Sequence, residues 1–177
     1  KESSAASDVY KRQINGHYYK NVFFDKENFT NILEKMMPKE FKLIHGDCTF
    51  SNLMFDTFNM KTILIDPRGY FGNTKLYGDV DYDWAKLYYS LKGNYDQFNR
   101  KKFTLDIKEK EVELAIKPNN WEDMEEFFFD NIPNIDKNKI KALHSVIWLS
   151  LTTYAWEDYD SICGAFYNGT ILAGEML

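Results

Sequence analysis

His45-Gly46-Asp47-Cys48-Thr49-Phe50-Ser51-Asn52, followed by Ile63-Leu64-Ile65-Asp66-Pro67-Arg68-Gly69, is the stretch on which the fold turns. It has the form H-G-D-x-x-x-x-N, with a second Asp nineteen residues after the first, at the end of an apolar run. Asn52–Phe55 and Thr62–Ile65 read as two short strands, joined as a hairpin by the polar residues between them. Asn52 then starts one strand and Asp66 ends its partner, so the two face one gap, and Asp47 lies in the loop leading into it. Phosphoryl transfer explains the residue types. A carboxylate accepts or orients the proton of the attacking hydroxyl, while an amide and a second carboxylate hold Mg²⁺ against nucleotide phosphates. One carboxylate and one amide, with phosphate and water completing the shell, suit that hard ion, and its charge reverses the repulsion between Asp47, Asp66 and ATP.

Downstream, Gly78-Asp79-Val80-Asp81-Tyr82-Asp83-Trp84-Ala85 opens a helix that Asp79 or Asp81 can cap, with Trp84, Leu87, Tyr88 and Leu91 as its apolar stripe and Gly93-Asn94 as its end. Asp83 is placed to accept backbone N–H bonds from the His45–Asn52 loop and hold its shape. Upstream, Phe29, Ile32, Leu33 and Met36 predict a helix from Asp25 to Pro38, then a β-like run Phe41–Ile44. The 44 residues before His45 thus read as a helix and its approach, with residues 1–8 a frayed or linker segment. Lys102–Lys117 alternates as two exposed strands or one hairpin. After Pro118 the pattern is helical, with a stripe of Ile140, Leu143, Ile147, Leu151 and Tyr154 and a final helix over Ser161–Leu177. The expected fold class is α+β, mostly helical, a single domain over residues 9–177.

Composition narrows the function classes. Of 177 residues, 44% are apolar and 28% charged, which is globular composition, and the net charge of −5 disfavours a nonspecific nucleic-acid binder. Cys48 and Cys163 are too few for a disulfide framework or a four-cysteine zinc site. No apolar run reaches the roughly 20 residues of a membrane helix and no signal peptide opens the chain, so no membrane partner and a cytoplasmic location are expected.

Together the HGD-x-x-x-x-N motif, the spaced Asp66 and the Asp83 helix start resemble the C-terminal lobe of the aminoglycoside phosphotransferase and choline kinase family, relatives of protein kinases. The match spans about Phe41–Leu91, and the later helices are compatible in number and order. The resemblance implies a kinase-like lobe in which Asp47 is the catalytic base and Asn52 and Asp66 are the Mg²⁺ ligands. In it His45 and Asp83 support the loop. Its cofactors are ATP and Mg²⁺, and its partner is a small-molecule hydroxyl acceptor: an antibiotic, choline or ethanolamine, or a sugar. The Asp66-Pro67-Arg68-Gly69 form also looks like kinase-type domains found beside sugar nucleotidyltransferases of bacterial surface-polysaccharide synthesis. Arg68 is expected either to touch phosphate or to form a salt bridge in its own loop.

Two departures qualify the match. Pro67 fixes φ near −65°, which opposes an in/out flip of the Asp66 segment. The family's N-terminal lobe, with its phosphate-covering loop and strand lysine, has no counterpart before His45, so that lobe is expected to lie outside this chain. Gly164-Ala165-Phe166-Tyr167-Asn168-Gly169-Thr170 lacks the lysine of a P-loop and does not replace it. The expected activity is therefore transfer of the γ-phosphoryl group of ATP to a hydroxyl, weak or absent in the chain alone. The alternative is a catalytically incomplete kinase-like binding or interaction module.

Other features have plainer readings. Trp84 and Ser90 occupy positions where a calcium loop starting at Asp79 needs Gly and Glu. Cys48 reads as a buried small hydrophobe rather than a nucleophile. His17 and His144 have no partners at metal spacing. Trp156-Glu157-Asp158-Tyr159-Asp160 is either an acceptor-binding acidic-aromatic run or a turn between helices.

Overall fold

The computed structural model describes residues 10–154 and 158–176. Among these residues helix outweighs strand, 43% against 20%, and the fold is mixed α+β. Residues 1–8 lie outside the described residues.

The first described segment corrects the sequence reading. Instead of an approach to a helix, β1 (Lys11–Ile14) and β2 (His17–Lys20) form an antiparallel hairpin. Its turn is Asn15-Gly16, with φ of +50° and +80°. That is the left-handed pair a two-residue hairpin turn requires, and Asn-Gly supplies it at little steric cost. Next come α1 (Lys26–Lys35), within the predicted helix, and β3 (Lys42–Leu43), shorter than the predicted Phe41–Ile44. A 3₁₀ turn, Phe50–Asn52, leads into β4 (Leu53–Asp56), which pairs antiparallel with β5 (Lys61–Leu64). The motif hairpin is therefore present, with each strand shifted by one residue from its predicted bounds. β6 (Tyr77–Gly78) returns to pair with β3.

Then follow α2 (Val80–Leu91), α3 (Tyr95–Asn99), β7 (Phe103–Ile107), β8 (Glu111–Ile116), α4 (Glu125–Asp130), α5 (Lys137–Leu151) and α6 (Tyr159–Gly174). Asp79, not Asp81, caps α2, its carboxylate accepting from the Asp81 amide. Tyr154 falls past the end of α5 and is exposed, so it does not continue the predicted stripe. Asp158 caps α6, in keeping with the turn reading of its segment; Trp156 and Glu157 lie outside the described residues.

The predicted Lys102–Lys117 strands are β7 and β8, but they are not exposed on both faces. The sheet runs β2-β1-β8-β7, with β1 parallel to β8. Ile14, Val112 and Leu114 turn one face against Cys163 and Tyr167 of α6. From there the layers run sheet, α6, α5, α2, each packed on the next. Trp148 of α5 sits at the centre, its ring 4.8 Å from Tyr89 and 4.9 Å from Phe98, both edge-on. Edge-to-face aromatic packing of this kind favours one geometry over neighbouring ones. The motif loop packs against α2. Among the described residues no helix is long and apolar enough to cross a membrane.

Candidate active site

One face of α2 organises the loop. Asp83, Lys86 and Ser90, spaced by three and four, project from the same side of the helix. Asp83 takes the amides of His45 and Gly46 on its two oxygens, both at 2.7 Å. Ser90 Oγ accepts the Phe50 amide at 3.0 Å, and Asp96, just past the helix in α3, accepts that of Ser51 at 3.0 Å. Four loop amides are thus paired with side chains, which fixes an irregular segment that no strand could satisfy.

Within this frame both oxygens of Asp47 are held. Lys86 Nζ lies 2.7 Å from Oδ1, and Asn52 Nδ2 donates to Oδ2 at 3.1 Å and to the Asp47 carbonyl at 2.9 Å. Because Asn52 donates to two acceptors, its amide orientation is determined, and Oδ1 is left for another ligand. Lys86 is only 7% exposed, with its ammonium 5.0 Å from the Tyr89 ring centre and 5.5 Å from that of Tyr95. The sequence reading missed it. The signal was available: three residues after Asp83, on the same helical face, stands the helix's first lysine.

His45 is structural. The Asp47 amide donates to its Nδ1 at 3.3 Å, so the proton resides on Nε2, which donates to the Ile65 carbonyl at 2.9 Å. That bond ties the motif loop to the end of β5. The Ile65 amide donates to the Asn52 carbonyl, and the Arg68 amide to the His45 carbonyl. Asp66 is clasped between these anchors with φ of +55°, immediately before Pro67. A non-glycine residue in this region is strained and persists only where its neighbours are pinned, as they are here. Its carboxylate is exposed, with no protein partner among the described residues. Gly46 has φ of +80°, and a Cβ there would lie 2.9 Å from Arg68 Cβ, so the loop and the Asp66–Arg68 turn meet at a position where only glycine fits.

Cys48 is half-buried rather than fully buried, and its thiol is pushed up to about 12, first by burial and then by Asp83, to which it hydrogen-bonds. It stays protonated at neutral pH, which removes it as a nucleophile. Among the described residues Arg68 forms no salt bridge, so the salt-bridge role expected for it is not found there. Its partners are the hydroxyls of Tyr82 and Tyr154.

Asp79 and Asp81 are also not a calcium site, since both pair with Lys139 of α5 at 2.7 Å. Among the described residues no three His, Cys, Asp or Glu side chains gather as a metal cluster. The oxygens that fit Mg²⁺ are Asn52 Oδ1 and the Asp66 carboxylate, a pair that needs nucleotide phosphates to complete it. Neither a cavity of about 930 Å³ among α1, α5 and α6 nor one of about 490 Å³ beside Trp84 includes Asp47. The motif surface is open, and beside it the β4–β5 hairpin exposes Met54, Phe55, Phe58, Met60, Ile63 and Leu64.

No known protein family, no curated protein and no solved structure matches this chain.

Proposed function

We propose that the chain is the catalytic-loop lobe of an Mg²⁺·ATP-dependent phosphotransferase that acts on a hydroxyl. The observation that carries this reading is the Asp47 carboxylate, held on both oxygens by Lys86 and Asn52 within a loop braced by Asp83. Phosphoryl transfer passes through a loose transition state with little covalent work for the protein, so a fixed, correctly aimed carboxylate matters more than a strong base. Asp47 orients the acceptor hydroxyl and receives its proton as that oxygen bonds to the γ-phosphorus and the bond from phosphorus to the bridging oxygen breaks, releasing ADP. Lys86 and Asn52 keep the carboxylate from swinging. Asn52 Oδ1 and Asp66 would hold Mg²⁺, which supplies charge neutralisation on the phosphates when bound.

The reading also needs a covering element over the nucleotide, the partner lobe expected from the sequence. The β4–β5 hairpin next to Asp66, with the paired Met54 and Ile63 exposed on one side and Phe55 and Leu64 on the other, offers apolar surface for such packing.

Calorimetry with ATP, with and without Mg²⁺, tests the reading on this chain. Weak Mg²⁺-dependent binding is expected, lost in Asp66→Ala and kept in Asp47→Asn. Binding indifferent to both Mg²⁺ and Asp66, or no binding even when a covering lobe is supplied, would favour an interaction module that keeps the residues without the chemistry.

A further inference from the structure

Arg68 carries a charge that no carboxylate among the described residues balances directly. There are 27 Asp and Glu residues against 22 Lys and Arg, yet among the described residues no carboxylate pairs with this guanidinium. Its neighbours are phenols. Nη1 donates to Tyr82 Oη at 3.3 Å and Nη2 to Tyr154 Oη at 2.8 Å. Its central carbon lies 5.1 Å from the Tyr70 ring centre and 5.4 Å from that of Tyr154. Such contacts orient the cation and limit its hydration, but they do not neutralise it.

The donors also add up. A phenol oxygen that accepts from arginine keeps its own proton to donate. Tyr82 retains that proton at neutral pH: burial raises its ordinary value, Arg68 pulls the other way, and Asp47 adds to the rise. The guanidinium has five N–H groups, and three phenols take from them, Tyr82, Tyr154 and Tyr70. What remains is a positive group with N–H and O–H donors gathered around it, the complement of an oxyanion.

Its position assigns the side of the site. The Arg68 amide is bonded to His45, Tyr82 immediately precedes Asp83, and the charge of Asp47 acts on Tyr82. The cage therefore adjoins Asp47. Its phenols come from the first turn of α2 and the residues beyond α5, the helical side of the loop. Asn52 and Asp66 flank the hairpin, where the nucleotide phosphates are expected.

We propose that Arg68, Tyr82 and Tyr154 bind the anionic group of the phosphoryl acceptor, a hydroxyl compound that already carries a phosphate or a carboxylate. This rests on the phosphotransferase reading and moves Arg68 from the nucleotide phosphates to the acceptor. A choline-like cation is repelled by the same group.

Titration of the full chain with inorganic phosphate, glycerol 3-phosphate, choline and Mg²⁺·ATP, followed by calorimetry or amide shifts, separates the possible sources of the anion. Phosphate and glycerol 3-phosphate are expected to bind and choline not to. Arg68→Gln is expected to weaken glycerol 3-phosphate about tenfold or more and to leave Mg²⁺·ATP within about twofold. Tyr154→Phe keeps the exposed ring, guards against a folding defect in the arginine variant, and is expected to weaken glycerol 3-phosphate roughly three- to fivefold. An equal loss of Mg²⁺·ATP binding in Arg68→Gln would place the cage on the nucleotide and overturn the proposal. So would choline binding, oxyanion binding that ignores Arg68, or no oxyanion binding at all. If the wild-type chain bound oxyanions through Arg68 but never Mg²⁺·ATP, the anion site would stand and the phosphotransferase reading would fall.

Discussion

Two lysines of this chain are almost equally buried, Lys86 at 7% and Lys139 at 8% exposure, and both meet carboxylates at 2.7 Å. Their settings differ. Lys139 joins α5 to the start of α2 through Asp79 and Asp81. Asp79 is itself buried and also caps the helix, so Lys139 and Asp79 form an enclosed structural pin, with the partly exposed Asp81 as a second acid at its edge. Burial alone would lower the Lys139 ammonium, and the hydrogen bonds to Asp79 and Asp81 outweigh it, raising the group above its ordinary value. Lys86 meets one carboxylate, and that one is partly open to solvent with its other oxygen on Asn52. The same kind of ion pair is a fastener where Lys139 meets the enclosed Asp79, and under the proposed function it aims a reacting carboxylate where Lys86 meets the partly open Asp47.

The largest expected effect falls on the open pair. Once a covering lobe is supplied and turnover is measurable, Asp47→Asn should lose about 10²- to 10⁴-fold in kcat while keeping the fold and Mg²⁺·ATP binding. Lys86→Met should lower kcat by at least about tenfold with little change in the KM for ATP, because it frees the Asp47 carboxylate without touching the nucleotide side. A Lys86→Met protein with wild-type kcat would reduce Lys86 to a second fastener and erase the contrast.

Breaking the closed pin should act on stability instead. Lys139→Met leaves Asp79 enclosed without its counter-charge, and a loss of about 2–4 kcal/mol is expected in urea unfolding, against about 1 kcal/mol for Lys86→Met, whose partner can hydrate. Equal losses at the two sites would show that exposure of one partner does not matter here.

What the sequence reveals follows the same division. The loop, the hairpin and a cap at Asp79 or Asp81 are local patterns in which each residue's task follows from its spacing, and the Asp83 bracing, although 38 positions from His45, is signalled by a carboxylate at a helix start beside an irregular loop. The Lys86–Asp47 pair spans 39 positions and depends on which face α2 turns to the loop. A reading of apolar stripes alone does not ask that question of a lysine. The Arg68 cage depends on Tyr154, brought in from beyond α5. The β1–β2 hairpin was legible locally in Asn15-Gly16, and the helix pattern that follows drew attention from it. Its parallel pairing with β8 was not legible, because partners such as Ile14 and Val112 are far apart in the chain and meet only when α6 offers them a common surface.

His144 extends the comparison to a buried base with no carboxylate bonded to it among the described residues. Trp148 Nε1 donates to its Nε2 at 3.0 Å, and burial pushes the imidazole down to about 3, with Glu125 opposing and Lys141 assisting. The core keeps this group neutral where it keeps Lys139 charged. The unfolded chain binds the proton near pH 6.5 and the folded chain only near 3, so stability falls as pH drops through that window. The expected loss between pH 6 and pH 4.5 is about 2 kcal/mol by urea midpoint, and His144→Asn should abolish most of that slope. A flat profile in the wild-type protein would mean that the imidazole is solvated or paired.

The smallest effect belongs to a lysine–carboxylate pair with both ends in water. Lys101 meets Asp158 at the start of α6, with side chains 58% and 36% exposed. The Asp158 carboxyl lies at about 2, held down first by Lys101 and then by Ser161, so its contribution is present above the ordinary carboxylate range and disappears as pH falls toward 2. Solvent screens the attraction and two mobile side chains must be ordered to gain it, so Lys101→Met should cost under about 1 kcal/mol. Most of that loss should disappear in 0.5 M salt, which screens an exposed contact pair far more than an enclosed one. Lys139→Met should keep most of its loss in the same salt, since ions do not reach the enclosed Asp79. A Lys101 variant as damaging as the Lys139 variant, or a Lys139 effect that salt removes, would show that enclosure is not what separates the pairs, and the distinct role assigned to Lys86 would lose its physical basis.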